Sequence, residues 1–251
     1  MVRIPIALQL YSVREDCADD LPGTLQAVAQ MGYEGVEFHD YYGYSAQELR
    51  KMLDDNGLKC CGKHLSIDRL LGDELMRTVE FSKELDNQFL ICSSLPEEYR
   101  NSKSAWRESA RLFNEISARV RSLDMWVGYH NHRIEFTEMD GELPWDIFFG
   151  NTSEEVVIQL DTGHALAGGA DPAKLLEQYP GRALTVHLKE YSATNEEALI
   201  GEGDIDWEEI FRVCESPVGA TQWYIVEQET YPFSPLECAE RCLRNLQGMG
   251  K

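Results

Sequence analysis

Strand-like and helix-like segments alternate along the whole of this 251-residue chain. Short runs rich in apolar residues are each followed by a segment with apolar residues at helical spacing. The predicted strands are residues 5–10, 35–38, 58–62, 88–92, 126–130, 156–160, 183–187 and 223–226. The predicted helices are residues 21–31, 45–56, 68–85, 104–123, 144–149, 172–179, 207–214 and 235–246. Alternation of this kind indicates a parallel sheet covered by helices.

The number of these units distinguishes between two parallel architectures. Eight strand–helix units in about 250 residues are typical of a single (β/α)8 TIM barrel, an α/β fold. A doubly wound open sheet is the alternative, but it usually has a glycine-rich phosphate-binding turn after its first strand. The residues at that point are Tyr11-Ser-Val-Arg14, which include no glycine. Since no stretch reads as a linker, we expect residues 1–251 to form one barrel domain.

The net charge and the hydropathy of the chain argue against nucleic acid and membranes as binding partners. The formal net charge of −21 repels nucleic acid, whose affinity for proteins comes mainly from Lys and Arg contacts to phosphate. No apolar stretch approaches the ~20 residues of a membrane helix, and the N-terminus lacks signal-peptide features. We therefore expect a cytoplasmic protein with neither a nucleic-acid nor a membrane partner. The sequence leaves open whether it forms a homo-oligomer.

The seven cysteines are scattered along the chain and odd in number. Both properties argue against a disulfide framework. We expect them to be buried thiols that pack as small apolar side chains.

Four of the apolar runs lead to residue types that bind metal ions. They are Val127-Gly-Tyr-His-Asn-His132, Val157-Ile-Gln-Leu-Asp-Thr-Gly-His164, Leu184-Thr-Val-His-Leu-Lys189 and Trp223-Tyr-Ile-Val-Glu-Gln-Glu229. The carboxyl ends of parallel barrel strands meet on one face. Four such endings therefore predict one site that gathers imidazoles and carboxylates around a divalent cation.

Several motifs, in this order and at these intervals, carry a resemblance to a known family. They are Leu8-Gln-Leu-Tyr-Ser12, Gly32-Tyr-Glu-Gly-Val-Glu37, Asp161-Thr-Gly-His164, Gly168-Gly-Ala-Asp-Pro172, His187-Leu-Lys189, Ile200-Gly-Glu-Gly-Asp204 and Val226-Glu-Gln-Glu229. Together they resemble the sugar phosphate isomerase/epimerase superfamily. This group of xylose isomerase-like TIM barrels also contains abasic-site endonucleases and inosose dehydratase-like enzymes.

The resemblance implies a ligand set for one divalent metal ion. Three positions match the family, and they are Asp161, His187 and Glu227. The fifth-strand position departs from it, because His130-Asn131-His132 stands where the family commonly has Glu-Asn-His. Either His130 replaces the glutamate as the fourth ligand, or Glu135 reaches back from the following loop. Mixed imidazole and carboxylate ligands favour Mn²⁺, Zn²⁺ or Co²⁺ over Mg²⁺.

The remaining candidates surround this expected metal site. We expect His132, Glu227 and Glu135 to transfer protons during catalysis. Other side chains near the strand ends are expected to contact the substrate, namely His164, Lys189, Lys63, His64 and His39. Lysine and histidine at strand ends suit contacts to hydroxyl groups or to a developing oxyanion.

These residues imply carbonyl chemistry on a small polyol. A divalent ion can polarise a sugar carbonyl and stabilise the enediolate that forms when the neighbouring proton leaves. We expect a metal-dependent isomerase or epimerase acting on a keto-sugar or related polyol. The alternative is a metal-dependent dehydratase or lyase acting on a cyclitol or 3-keto-sugar, and the imidazole pair at the fifth strand favours such elimination. A non-catalytic sugar-binding barrel is less favoured, and the net charge of −21 disfavours an abasic-site endonuclease.

Overall fold

Eight parallel strands form a closed barrel in the computed structural model, which describes residues 3–251. The strands are β1 Ile6–Gln9, β2 Gly35–Phe38, β3 Lys59–Ser66, β4 Phe89–Ser94, β5 Trp126–His130, β6 Val157–Asp161, β7 Thr185–Leu188 and β8 Trp223–Val226. Each strand pairs with its neighbour in sequence, and β8 returns to pair with β1. The predicted (β/α)8 architecture is confirmed.

Helices connect the strands on the outside of the barrel. Within the described residues they are α1 Arg14–Met31, α2 Ala46–Asn56, α3 Glu74–Glu84, α4 Lys103–Arg121, α5 Pro144–Phe149, α6 Thr162–Ala167, α7 Pro172–Gln178, α8 Trp207–Cys214 and α9 Pro235–Gly248. None of these helices is both long enough and apolar enough to cross a bilayer.

Local sequence signals fix several helix ends. Ser45 caps α2 and forms a capping box with Glu48, as the spacing predicts. Gly57 ends the same helix in the left-handed region, with φ of 69°. In α1 the backbone at Asp20 is not helical, and its carboxylate accepts a hydrogen bond from the Gly23 amide at 3.0 Å. The predicted helix of residues 21–31 is therefore the part of α1 that follows this kink.

Several boundaries differ from the prediction near the carboxyl ends of strands, and two of them matter for the site. Strand β3 continues to Ser66 instead of ending at residue 62, and it is followed by a 3-10 turn, Ile67–Leu70. The predicted helix 68–85 is therefore shortened to α3. Strand β6 includes Asp161, and the short helix α6 begins directly after it, which the sequence did not predict.

The barrel interior is apolar at one end and polar at the other. Four buried side chains fill the end where the strands begin, and they are Phe89, Ile91, Val157 and Leu184. Trp126 and Trp223, each the first residue of its strand, pack against them and close that end. The other end holds the buried polar residues described below, because the strands reach it with Gln, Glu, His and Asp. All seven cysteines are buried and free, as predicted.

Candidate active site

Four side chains at the carboxyl ends of β5 to β8 converge on one point. His130, Asp161, His187 and Glu227 each offer one ligand atom, and these atoms all lie within 4.8 Å of one another. Two ligands of one ion lie roughly 3–4.5 Å apart, since each metal–ligand bond is about 2.0–2.3 Å. The four groups are buried and can hold a single divalent cation.

Asp161 shows why a cation suits this cluster. Its Oδ1 accepts a 2.6 Å hydrogen bond from the His164 amide, but its buried Oδ2 has no hydrogen-bond partner among the described residues. Burial raises the pKa of Asp161 to about 7, although Lys189 opposes this. An unpartnered buried carboxylate oxygen costs free energy that a bound cation would offset.

His187 lies between two carboxylates. Its Nδ1 is 2.6 Å from Glu227 Oε2, and its Nε2 is 2.6 Å from Glu37 Oε2. Burial opposes a charge on the ring, but the two carboxylates outweigh burial and raise the pKa of His187 to about 10. The ring therefore carries a proton that a bound cation would displace.

A buried amide fixes the orientation of His130. The Gln159 Nε2 donates to Glu37 Oε1 at 2.9 Å and to Thr185 Oγ1 at 3.1 Å, so its Oε1 is the acceptor. That oxygen faces His130 Nδ1 at 3.2 Å and His64 Nε2 at 2.6 Å. His130 Nδ1 is therefore the protonated nitrogen, which leaves the lone pair of Nε2 available to a metal ion.

Glu37 joins these groups into one network, and the sequence did not single it out. It is fully buried, and its Oε2 also accepts a 2.7 Å hydrogen bond from Gln9 Nε2. The backbone of β3 passes so close that a Cβ on Gly62 would come within 2.2 Å of Glu37 Oε1. The sequence did contain a sign of its importance, because Glu37 stands between the apolar residues Val36 and Phe38 in a predicted strand. A carboxylate next to an apolar strand also identified Asp161.

Glu37→Gln is expected to weaken divalent-metal binding by about 10–100-fold, because His187 loses the carboxylate that orients it. The measurement is competition for the metal against a chelator of known affinity. Glu34→Gln is the matched control, since Glu34 precedes the same strand but lies outside the network. Equal metal affinity in Glu37→Gln and the parent would show that Glu37 does not support the site.

Two more histidines lie beside this cluster. The ring centroid of His132 is 5.1 Å from that of His130 and 4.9 Å from that of His164. Burial lowers the pKa of His132 to about 4 and that of His164 to about 3, so both rings are neutral at neutral pH. Lys189 is paired with Glu229, which also lies 3.6 Å from His164 Nε2.

Glu135 does not reach the cluster. Its Oε1 accepts a 2.6 Å hydrogen bond from the Tyr129 hydroxyl, and its Oε2 accepts a 2.7 Å bond from the His132 amide. It is buried, and burial raises its pKa despite these hydrogen bonds. One oxygen is therefore engaged by a residue of β5 and the other by the backbone of His132. The alternative in which Glu135 supplies the fourth ligand is therefore not supported by the geometry, and the residue is placed to position His132.

The extension of β3 separates Lys63 from His64. Successive residues of a strand point to opposite faces. His64 points into the barrel, where its ring stacks on that of His187 with centroids 5.1 Å apart. Lys63 points away from the axis, and its ammonium lies 4.7 Å from the centre of the Tyr41 ring. His39 is hydrogen-bonded through Nε2 to the Tyr42 hydroxyl at 2.7 Å, at the edge of the site.

Some of these groups line one cavity of about 890 Å³. Of the residues that the sequence singled out, those on its lining are His39, Lys63, His64, His130, His132 and Glu227. Glu229 lines it as well. None of the residues 191–206, which form the long loop after β7, lines this cavity. The loop is instead held by buried Glu190, which accepts hydrogen bonds from the Gly201 amide at 2.7 Å and from Trp207 Nε1 at 2.8 Å.

The family model described as xylose isomerase-like TIM barrel matches residues 25–246. The chain belongs to this family. This confirms the resemblance drawn from the strand-end motifs.

Relatives and solved structures agree with this membership. An inosose dehydratase of Erwinia tasmaniensis is 26% identical, with 88% of each chain covered. Another, from Geobacillus kaustophilus, is 27% identical over 68% of this chain and 65% of that protein. A crystal structure of a sugar phosphate isomerase/epimerase from Parabacteroides distasonis has 25% identity and a TM-score of 0.82, with 98% and 94% of the two chains covered. A structure of a protein named IolI, with a zinc atom bound, has 14% identity and a TM-score of 0.75, with 98% of each chain covered.

The names of the curated relatives indicate an enzyme of this superfamily. The cluster of His130, Asp161, His187 and Glu227 is suited to a divalent metal ion.

Proposed function

We propose that this protein is a divalent-metal-dependent dehydratase that removes water from a keto-cyclitol or a keto-sugar. The observation that carries the proposal is the cluster of His130, Asp161, His187 and Glu227, two of which, His130 and Glu227, line a cavity that is also lined by His132, a neutral imidazole. The sequence placed isomerisation first and elimination second. The relatives named inosose dehydratase favour the reverse order.

His130, Asp161, His187 and Glu227 would hold the metal ion. When bound there, the ion would polarise the substrate carbonyl and stabilise negative charge on its oxygen. Asp161 is fixed by the amide of His164, and His187 by Glu37, so the ligands are oriented before substrate arrives.

His132 is the group proposed to move protons. Its ring lines the cavity, and its backbone amide is held by Glu135. In the proposed reaction the carbon–hydrogen bond next to the carbonyl breaks and its proton passes to a nitrogen of His132. The carbon–oxygen bond at the next carbon then breaks, and the same proton goes to the departing hydroxyl, which leaves as water. The product is an unsaturated ketone, and no further reactant is consumed.

The other polar groups are proposed to bind substrate hydroxyls. His164, Lys189 and Glu229 form one contact set beside His132, and the Lys189–Glu229 pair offers both donors and an acceptor. His64 also lines the cavity, with its ring centroid 4.8 Å from that of His130. Such positioning keeps the reacting carbon near His132, which contributes to rate by removing orientational freedom.

An isomerase or epimerase is the second candidate, supported by the Parabacteroides structure of that name at 25% identity. The first step would be the same, but the proton would return to carbon, with no loss of oxygen. The two reactions therefore differ in their products and not in the way the substrate is first activated.

Nuclear magnetic resonance in D₂O, with a panel of keto-cyclitols and keto-sugars, tests both functions. We expect water to be lost and the signals and absorbance of an unsaturated ketone to appear. In remaining substrate, solvent deuterium should enter the carbon next to the carbonyl to the extent that the first proton transfer reverses. Removal of metal by a chelator should abolish these changes, and Mn²⁺, Zn²⁺ or Co²⁺ should restore them better than Mg²⁺. Deuterium uptake without loss of oxygen would favour the epimerase. Sugar binding that survives chelation, without any exchange or loss of water, would contradict both functions.

A further inference from the structure

Lys63 is a buried cation without a counter-ion. Lys63 lines the cavity, and only 6% of the residue's surface is exposed. Among residues 3–251, no carboxylate lies within 4.0 Å of its Nζ, and no side chain or backbone group accepts a hydrogen bond from it. Its contact is the Tyr41 ring, 4.7 Å away. Burying an ammonium in this way costs free energy unless a partner arrives.

The other charged groups near Lys63 already have partners. Arg69 and Arg77 line the same side of the cavity, and both pair with Glu74. Asp40 accepts hydrogen bonds from the amides of Tyr41 and Tyr42 at 2.6 Å and 3.0 Å. Lys63, Arg69 and Arg77 therefore outnumber the carboxylates of Asp40 and Glu74 on this side of the cavity, and neither carboxylate forms an ion pair with Lys63. Burial lowers the pKa of Lys63 to about 8, with Asp40 opposing it, so the amine is mainly cationic at neutral pH.

The cavity is large enough to extend a substrate towards this amine. Its volume of about 890 Å³ lies in the range of drug-sized ligand sites and exceeds what a single small ring requires. Tyr41 and Phe81 are stacked with ring centroids 4.3 Å apart and form a flat wall beside the amine. Ser93 and Ser94 line the same cavity. Hydroxyls and a buried ammonium are the donors that an oxyanion needs.

We propose that Lys63 binds an anionic group, a carboxylate or a phosphate, carried by the substrate at the end remote from the reacting carbonyl. A hydroxyl could accept a hydrogen bond from the amine, but only an oxyanion would also neutralise its charge. This inference rests on the proposed function, because it places the reacting end of the same molecule beside His132.

Binding measurements on the purified full chain test this assignment. The anionic probes are D-glucuronate and myo-inositol 1-phosphate, and the neutral counterparts are D-glucose and myo-inositol. We expect at least one anionic probe to bind more tightly than its counterpart. Lys63→Met should weaken that binding by about tenfold to a hundredfold and leave neutral probes unchanged. Lys59→Met is the matched control, because Lys59 is exposed at the start of the same strand.

The probe that loses affinity in Lys63→Met shows whether Lys63 binds a carboxylate or a phosphate. Lys63→Gln, which is also uncharged, replaces the methionine variant if that one does not fold, and Lys63→Arg should retain most of the affinity. Anionic probes that bind no better than neutral ones, or that bind the uncharged variants as well as the parent, would overturn the assignment. Because binding is read without turnover, this result is independent of the elimination chemistry. Intact, Lys63-dependent anion binding without deuterium exchange or loss of water would contradict only the proposed reaction.

Discussion

Glu227→Gln is expected to lose its bound divalent metal and, with it, measurable turnover. The carboxamide keeps the shape of the side chain but removes the charge that faces His187 Nδ1 at 2.6 Å. Replacement of a residue that only orients a ligand costs about 10–100-fold in metal affinity, so loss of a direct ligand should cost more than about 100-fold. Metal content after dialysis and competition with a chelator measure this directly.

The control for Glu227→Gln is Glu154→Gln, which changes an exposed glutamate that precedes β6 and does not line the cavity. It should retain metal and activity. Circular dichroism should show that both variants keep the barrel, since the fold is stabilised by a large apolar core. If Glu227→Gln holds metal as tightly as the parent, Glu227 is not a ligand, and the correspondence with the family at the eighth strand fails.

His132→Ala is expected to retain metal while turnover falls by about 10²–10⁴-fold, the usual contribution of a proton-transferring side chain. His132 lines the cavity beside the metal cluster. It is not one of the four residues of that cluster, which are His130, Asp161, His187 and Glu227. Rates of deuterium exchange and of water loss on the identified substrate should fall together, because both depend on removal of the same proton.

His130→Ala is the informative comparison for His132→Ala. His130 faces Gln159 through Nδ1, so its other nitrogen is directed towards the cluster, and its removal should release the metal. We therefore expect both alanine variants to have low activity, but only His132→Ala to retain the metal. If both alanine variants keep metal and near-parental rates, the histidines at the fifth strand are structural, and a different residue moves the proton.

The barrel and the four metal-type side chains were predictable because each depends on residues close together in sequence. A strand of four or five apolar residues followed by His, Asp or Glu is visible in the sequence alone. The shared topology of parallel barrels then brings such endings to one face. Ser45, Glu48 and Gly57 predicted a helix and its two ends for the same reason, since caps are made within one turn of the helix.

The network beneath the site was not predictable, because its partners are far apart in the chain. Glu37 contacts Gln9, Gln159 and His187, which are 28, 122 and 150 residues away. Nothing in the short strand that contains Glu37 shows which residues will surround its carboxylate. Only closure of the barrel brings them together, and that closure decides that Glu37 orients a neighbouring imidazole.

Glu135 and Lys63 show the same division between local pattern and tertiary structure. The sequence placed both near the site and suggested a ligand or a hydroxyl contact. The structure engages Glu135 with Tyr129 and the His132 amide, and it extends β3 so that Lys63 and His64 point to opposite sides. The sequence by itself therefore determined the barrel and the kinds of groups at its carboxyl end. Which of those groups share a centre was decided by the tertiary structure, because strand length and barrel closure set the direction and the partners of each side chain.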